Sequence, residues 1–504
     1  MDNMDLSFFN IQRKFFGVWR SSEQTGQQVV RGGFLIFFER FVIKTLYFIR
    51  TVILARFLFP DDFGLFGMAV LAMNVTEVFF QHGFASALLQ KKENAKQYLD
   101  TAWTVTLVRN VFLASLLFFV GAPLAGQFFQ NDSVVIFAQA LAIVFVISGL
   151  ENLGVILLQK EMRFNRKMIY DLSGVLTEVV TVIIAAFFLR SPWALVIAMI
   201  ANRSAYAIVS YFIYPYRPRF RFDWEKAKEL FRFGKWIGIS GIVLFLVSQG
   251  DYLVVGKLLN ASSLGFYQLA FALGTLPAVE LARSLGNILF PLYAKIQNDR
   301  QLLNTSFIKV SRLVFALIIP ASFGLAVLAK EAVGFIYGER WLPMVPVLYV
   351  ILALALLKAL DFMISPLFMG IGKPKVTTIV LAVQSVIMFS LIISLTQKYG
   401  MVGTAGAVLA SSFVAEFILL LKLRKEIDLK FRALIKIVAL PFLGSLAMAA
   451  ALHFSKRVVF PATLPIFVAY IAVGVIIYFA ALFLLDQILG KRFYESLIWI
   501  KKNI

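Results

Sequence analysis

The first apolar window of the chain, GFLIFFERFVIKTLYFIRTVILAR, carries Glu39, Arg40, Lys44 and Arg50 among side chains that otherwise belong in hydrocarbon. Ionisable groups at membrane depth are costly, and as a rule they face a cavity or a partner. Arg40 and Lys44 lie four residues apart and so share one helix face. Cations in that setting suit an anionic group such as a diphosphate, held by charge-assisted hydrogen bonds. The planar fork of arginine fits that geometry better than the point charge of lysine. Similar residues recur in later apolar windows: Glu77, Arg109, Glu151, Glu178 and Arg203, then Asp251, Glu280, Arg283, Lys358 and Asp361. The candidate anion-binding set is therefore Arg40, Lys44, Arg50, Arg109, Arg203 and Arg283. The acids Glu39, Glu77, Glu151, Glu178, Asp251, Glu280 and Asp361 are candidates for taking up a proton or a cation. A plainer reading stands beside this one. Charges inside a bundle pair with each other, as Glu280 with Arg283 and Lys358 with Asp361 would at i,i+3, or Glu39 with a neighbouring cation, and charges near helix ends snorkel to the interface.

The elements that must position these groups are membrane helices. Of 504 residues, 60% are hydrophobic, 52 are Phe and only 15% are charged. A soluble domain is nearer about 45–50% apolar, and its core cannot absorb such an excess. A spanning helix needs about 20 largely apolar residues. Such windows fall at 34–56, 64–81, 101–121, 133–157, 171–189, 192–213, 234–256, 265–286, 310–329, 344–365, 376–396, 401–421, 433–453 and 464–487. The expected fold is thus all-α and polytopic, with about fourteen transmembrane helices. Pro277, Pro320, Pro366 and Pro441 are expected to kink or end their helices.

Loop charge orients the map. With the N-terminus inside, the short inner loops collect Lys and Arg. They include Lys91, Lys92 and Lys96, then Lys160, Arg163, Arg166 and Lys167, then the central stretch YPYRPRFRFDWEKAKELFRFGK. Later come Lys295 and Arg300, Lys373 and Lys375, Lys422 to Arg432, and the tail with Lys491, Arg492, Lys501 and Lys502. The outer loops are poorer, as FPDDFG and GQFFQNDS illustrate. Both termini are expected on the cytoplasmic side of a bacterial inner membrane. The net charge of +21 is spread over these loops and forms no continuous basic face, which excludes a nucleic-acid partner and points to anionic headgroups. Residues 1–33 are expected to form a tail and not a cleavable signal peptide. Its FFNIQRKFFGVW stretch either lies as a short amphipathic helix on the inner leaflet or simply packs aromatics on the surface.

The chain has no Cys and two His, which leaves no disulfide and no thiolate or His-based metal site, so no cofactor is expected. There is no Gly-rich phosphate loop ending in Gly-Lys-Ser/Thr. The expectation is a transporter and not an enzyme, with proton or sodium coupling open. An internal echo supports this. RFLFPDDFGLF at residue 56 parallels KLLNASSLGFY at residue 257, an offset of 201, and QKEMRFNRK matches GIGKPK in position. Two parallel six-helix repeats follow from it, a transporter signature. The expected layout is an N-lobe at 34–215, a basic linker at 216–233, a C-lobe at 234–423, two further helices within 433–487 and a tail at 488–504.

Several stretches resemble the polysaccharide-exporter branch of the multidrug/oligosaccharidyl-lipid/polysaccharide flippase superfamily, in particular its Wzx-type, WzxC-like translocases. They are ARFLFPDDFGLFGMA from Ala55, LLQKEMRFNRK from Leu157, GDYLVVGKLLNASSLGFYQLAFALGTLPA from Gly250 and LFPLYAKIQND from Leu289. The resemblance implies two six-helix lobes in a V around a central cavity, plus two C-terminal helices. It implies a polyprenyl-diphosphate-linked glycan as substrate, moved by alternating access, with the cationic cavity on Arg40, Lys44 and Arg50 and less securely on Arg109, Arg203 and Arg283. A polysaccharide polymerase and assembly proteins would be further partners. Two other readings fit the same helices: an ion-coupled multidrug exporter of this fold, and a membrane-bound glycosyltransferase or scaffold.

Overall fold

A computed structural model describes residues 23–80, 84, 88, 95–458 and 463–488, with side chains excepted at 23–37, 230–240, 277–288 and 431. The N-terminal FFNIQRKFFGVW stretch, Lys91 and Lys92 and the C-terminal tail lie outside the described residues. Every predicted window overlaps a helix among the described residues. In order these are α1 (Glu23–Phe57), α2 (Pro60–Val78), α3 (Leu99–Leu116), α4 (Ala122–Phe129), α5 (Ser133–Gly149), α6 (Ile156–Lys160), α7 (Phe164–Leu189), α8 (Trp193–Ile213), α9 (Trp224–Leu258), α10 (Ala261–Lys295), α11 (Arg300–Val327), α12 (Ala329–Ile336), α13 (Val345–Gly370), α14 (Pro374–Ile427), α15 (Phe431–Val458) and α16 (Leu464–Ile488). Among the described residues nine helices are long and apolar enough to cross a membrane, or ten if α5 and the bent segment after it form one span. The protein is an all-α polytopic membrane protein.

Two windows take unexpected shapes. The fourth window bends by 67° between Ser133–Gly149 and Leu153–Lys160. The eleventh and twelfth merge into the 54 residues of α14, interrupted at Gly400, whose φ of 60° and ψ of −142° suit glycine alone. The chain folds back there. The Thr396 and Thr404 hydroxyls meet at 2.8 Å, and Gln384 Nε2 donates to Ser412 Oγ at 2.9 Å. A straight helix would hold residues 28 apart at about 42 Å, so α14 is an antiparallel hairpin. The prolines do not end their helices. Pro320, Pro366 and Pro441 lie inside α11, α13 and α15, which continue past them. Ser445 Oγ donates back to the Pro441 carbonyl one turn earlier at 2.7 Å. One π-turn, Leu117–Gly121, joins α3 to α4, and its Phe118 carbonyl accepts from Gln139 Nε2 at 3.3 Å.

Contacts divide the chain into two units. The first comprises residues 1–54, 79–121 and 138–238, and the second 55–78, 122–137 and 239–504. In the first, Phe84, Leu99, Leu158, Tyr170 and Tyr214 gather in one core cluster. In the second, a larger cluster joins α10, α11, α13 and α14 around Tyr293, Phe307, Ile364, Phe368 and Leu423.

The echo seen in sequence is repeated in geometry. Helices α2 and α10 start 201 residues apart and cross at their first turns, inside the second unit. A Cβ placed on Gly64 would lie 1.7 Å from the Ala261 carbonyl oxygen, and one on Gly265 would lie 2.0 Å from that of Pro60. Ser262 Oγ donates to Asp61 at 3.3 Å, again between equivalent positions. The contact is reciprocal, as at a two-fold interface, and only glycine lets the backbones meet so closely. Trp341, fully buried, packs edge-on against Phe63 and Phe266 and donates to the Ala55 carbonyl at 2.9 Å. The turns before α7 and α14 also match. Arg163 N–H donates to the Leu158 carbonyl and Lys373 N–H to that of Phe368, each at 2.8 Å, with Met162 at φ 54° and Gly372 at φ 75°. Both turns are Schellman caps.

Candidate functional site

Within the first unit the charges of α1, α7 and α8 form one connected network. Arg50 pairs with the Glu178 carboxylate through Nη1 and lies over the Tyr47 ring at 5.1 Å. Glu178 also accepts from Tyr47 Oη at 3.2 Å and from Asn202 Nδ2 at 3.0 Å. Three donors from two helices, α1 and α8, thus satisfy one carboxylate on α7, the condition for a charge to sit at depth without a penalty of several kcal/mol. One turn from Tyr206, the Arg203 guanidinium stands 5.9 Å over that ring and within electrostatic reach of Glu151. Glu151 accepts from Tyr170 Oη. The Tyr170 and Tyr206 rings lie 5.0 Å apart. At the far end Lys167 pairs with Asp171, and the buried Glu39 meets Asp171, with Lys167 and Arg40 near it.

The other candidates, in either unit, are more dispersed. Arg40, Lys44 and Glu77 are exposed on their helices. Arg109 donates from Nε to the Phe80 carbonyl at 2.7 Å and from Nη1 to Asn110 Oδ1 at 3.2 Å. The side chains of Glu280 and Arg283 lie outside the described residues, so their expected pairing does too.

The second unit holds a different cluster. Asp251 on α9 is buried, accepting from Tyr267 Oη at 3.0 Å. Lys358 on α13 stands 5.8 Å over the Phe271 ring, within electrostatic reach of Asp251, Asp361 and Glu416. The pair expected from i,i+3 spacing does not form. Asp361 accepts instead from Ser365 Oγ, one turn on, at 2.6 Å, which leaves the ammonium shared among three acids. Glu416 on α14 was not among the sequence candidates. It is 7% exposed, and its Oε2 has no hydrogen-bond partner among the described residues. Its signal was present in sequence as an acid inside the apolar run FVAEFILLL. The partners Tyr47, Tyr170, Asp171, Asn202 and Tyr206 were also missed. Among the described residues no group of three His, Cys, Asp or Glu is placed to hold a metal ion.

The sequence profile of the family described as polysaccharide biosynthesis protein matches residues 53–346, more than half the chain. The chain belongs to that family. The match covers α2 to α12 and part of α13, and so takes in both glycine-mediated corners. Among curated proteins the family member resembles "Lipopolysaccharide biosynthesis protein WzxC" of Escherichia coli, 25% identical over 67% of this chain and 68% of that protein. It also resembles "Teichuronic acid biosynthesis protein TuaB" of Bacillus subtilis, 26% identical over 56% of this chain and 59% of TuaB. "Succinoglycan biosynthesis transport protein ExoT" of Rhizobium meliloti is 23% identical, over 60% and 61%. Among solved structures its fold is that of "Lipid II flippase MurJ, inward closed conformation", with a TM-score of 0.75 at 18% identity over 90% of this chain and 99% of the other. An inward-facing multidrug resistance MATE transporter follows at 0.60 and 18%, over 76% and 94%.

Proposed function

We propose that this protein is a flippase that moves a lipid-linked oligosaccharide repeat unit across the inner membrane for surface polysaccharide synthesis. The observation that carries the reading is family membership joined to a cationic first helix. Of its cations, Arg50 pairs with Glu178, and Arg40 and Lys44 lie on the exposed surface of the helix. A diphosphate headgroup is strongly disfavoured in hydrocarbon. A wet path offering guanidinium and ammonium groups lowers that barrier, and moderate binding still permits release. The substrate class is a polyprenyl-diphosphate-linked glycan, the class of headgroup those two cations suit. The helices make fourteen spans with both termini cytoplasmic, and two six-helix lobes alternate access. The acids of the second unit, with Lys358, are the candidates for proton or sodium coupling.

The test is transport in sealed proteoliposomes loaded with an undecaprenyl-diphosphate oligosaccharide, with and without proton or sodium gradients. Losing one charge-assisted hydrogen bond of about 1.5–3 kcal/mol predicts at least a ten-fold fall for Arg40→Ala and Lys44→Ala. Movement unaffected by both changes refutes the site. Absence of movement by folded wild type refutes the function and directs the same assay to drug cations.

A further inference from the structure

The segment joining α8 to α9, residues 214–223, is tied along its whole length to one side of the first unit. Asn152, fully buried, donates from Nδ2 to the carbonyls of Tyr214 at 3.2 Å and Tyr216 at 2.7 Å. Tyr214 Oη donates to Glu161 at 2.8 Å. Tyr216 Oη donates to Asp100 at 2.5 Å. The backbone N–H of Arg219 donates to the same carboxylate at 3.3 Å, and that of Arg221 to Thr104 Oγ1 at 3.2 Å. The Trp103 ring meets Phe220 edge-on at 5.0 Å. A linker with this many ties is a fixed strap.

Its other side is turned outward. Phe220, Phe222 and Trp224 are 75%, 57% and 66% exposed, a large apolar surface for a segment with no helix to hide it. Arg219 and Arg221 alternate with these aromatics and are exposed, and among the described residues neither guanidinium has a partner. The strap begins where the apolar span of α8 ends at Ile213, which sets it at the boundary between hydrocarbon and water. Aromatics at that level favour the headgroup region, and arginines there gain from negative surface potential. Nearby cations add to the field: Lys96 and Arg163, both largely exposed, flank Glu161.

We propose that the outward side of residues 219–224 is a docking surface for anionic phospholipid of the adjoining leaflet, with Arg219 and Arg221 on the headgroup phosphates and Phe220, Phe222 and Trp224 in the interface. The strap anchors the first unit to anionic lipid independently of any transported substrate. Each surface arginine contributes about a five-fold preference, so the pair confers about 25-fold.

The experiment places the full chain in nanodiscs that mix phosphatidylglycerol and phosphatidylcholine, one of them brominated in its tails. Trp224 emission is isolated by difference against Trp224→Phe. Quenching by brominated phosphatidylglycerol should exceed that by brominated phosphatidylcholine at equal mole fraction. The preference should vanish in the Arg219→Gln/Arg221→Gln double variant, survive in Arg219→Lys/Arg221→Lys and weaken at high salt. Equal quenching by both lipids in wild type overturns the proposal, as does an undiminished preference in the glutamine variant. Loss of the preference on adding a soluble polyprenyl diphosphate would assign the arginines to substrate and also overturn it. No transport is measured, so a failure of the flippase assay leaves this result standing on its own.

Discussion

The two units keep their intramembrane charges in opposite ways. In the first, Glu178 on α7 is saturated by Arg50 and Tyr47 of α1 and Asn202 of α8. In the second, Lys358 serves three acids at a distance, and Glu416 keeps an oxygen without a partner among the described residues. A saturated network fixes helices in one arrangement, because breaking it strands a charge. A loosely paired cluster holds its helices less firmly. The difference makes the second cluster the place to test for the coupling proposed above.

The largest way to break this comparison is Glu178→Ala. It strands Arg50 and should cost about 3 kcal/mol, the low end for breaking a buried pair, read as detergent-solubilised unfolding. The double change Arg50→Met/Glu178→Leu should recover most of that loss, since an apolar pair replaces a buried ion pair at little cost. If the double variant is as weak as the single one, the network is not held by charge pairing. Tyr47→Phe removes one hydrogen bond to a carboxylate and should cost about 1 kcal/mol in the same measurement. Glu416→Gln, by contrast, breaks no hydrogen bond to its unpaired oxygen among the described residues and should cost less stability than Glu178→Ala while altering ion-dependent transport. A destabilisation matching that of Glu178→Ala would erase the distinction between the units.

The smallest effect lies outside both networks. Asp223 caps α9, and its carboxyl is held below the usual aspartate range chiefly by the Lys226 backbone N–H, then by the Lys226 side chain. A depressed carboxyl contributes stability above the unfolded-state value of about 4, and that contribution disappears as pH falls through the lower folded value. Hydrogen exchange in the first turn of α9 should therefore speed up only in strong acid, and Asp223→Asn should remove the pH dependence.

The helices were legible because spanning lengths and apolar content are fixed by the bilayer. The echo at offset 201 was legible because both corners need glycine where backbones touch. The pairings were not. Lys358 and Asp361 have the right spacing, but Ser365 on the same helix satisfies the acid first. Spacing permits a contact without choosing it. Arg50 and Glu178 are 128 residues apart, and nothing local marks them as partners. Tyr47, Tyr170 and Tyr206 look like any amphipathic aromatic until their hydroxyls find acceptors. Glu416 was visible as a lone acid in an apolar run and needed only the same test applied to every window.

The fold-back of α14 bears on how the chain enters the bilayer during synthesis. Its two arms turn about Gly400 alone, so no polar loop trails between them. The tip carries Lys398, whose ammonium lies 5.2 Å over the Tyr399 ring, and dragging one such charge through the hydrocarbon centre costs about 2.5–3.5 kcal/mol. The two apolar arms, joined by the Thr396–Thr404 hydroxyl contact, outweigh that cost. The hairpin is therefore suited to partition from the translocon as a single piece. A side chain at Gly400, forced into a backbone conformation it disfavours, would show itself first as a defect of membrane integration, before any defect of transport.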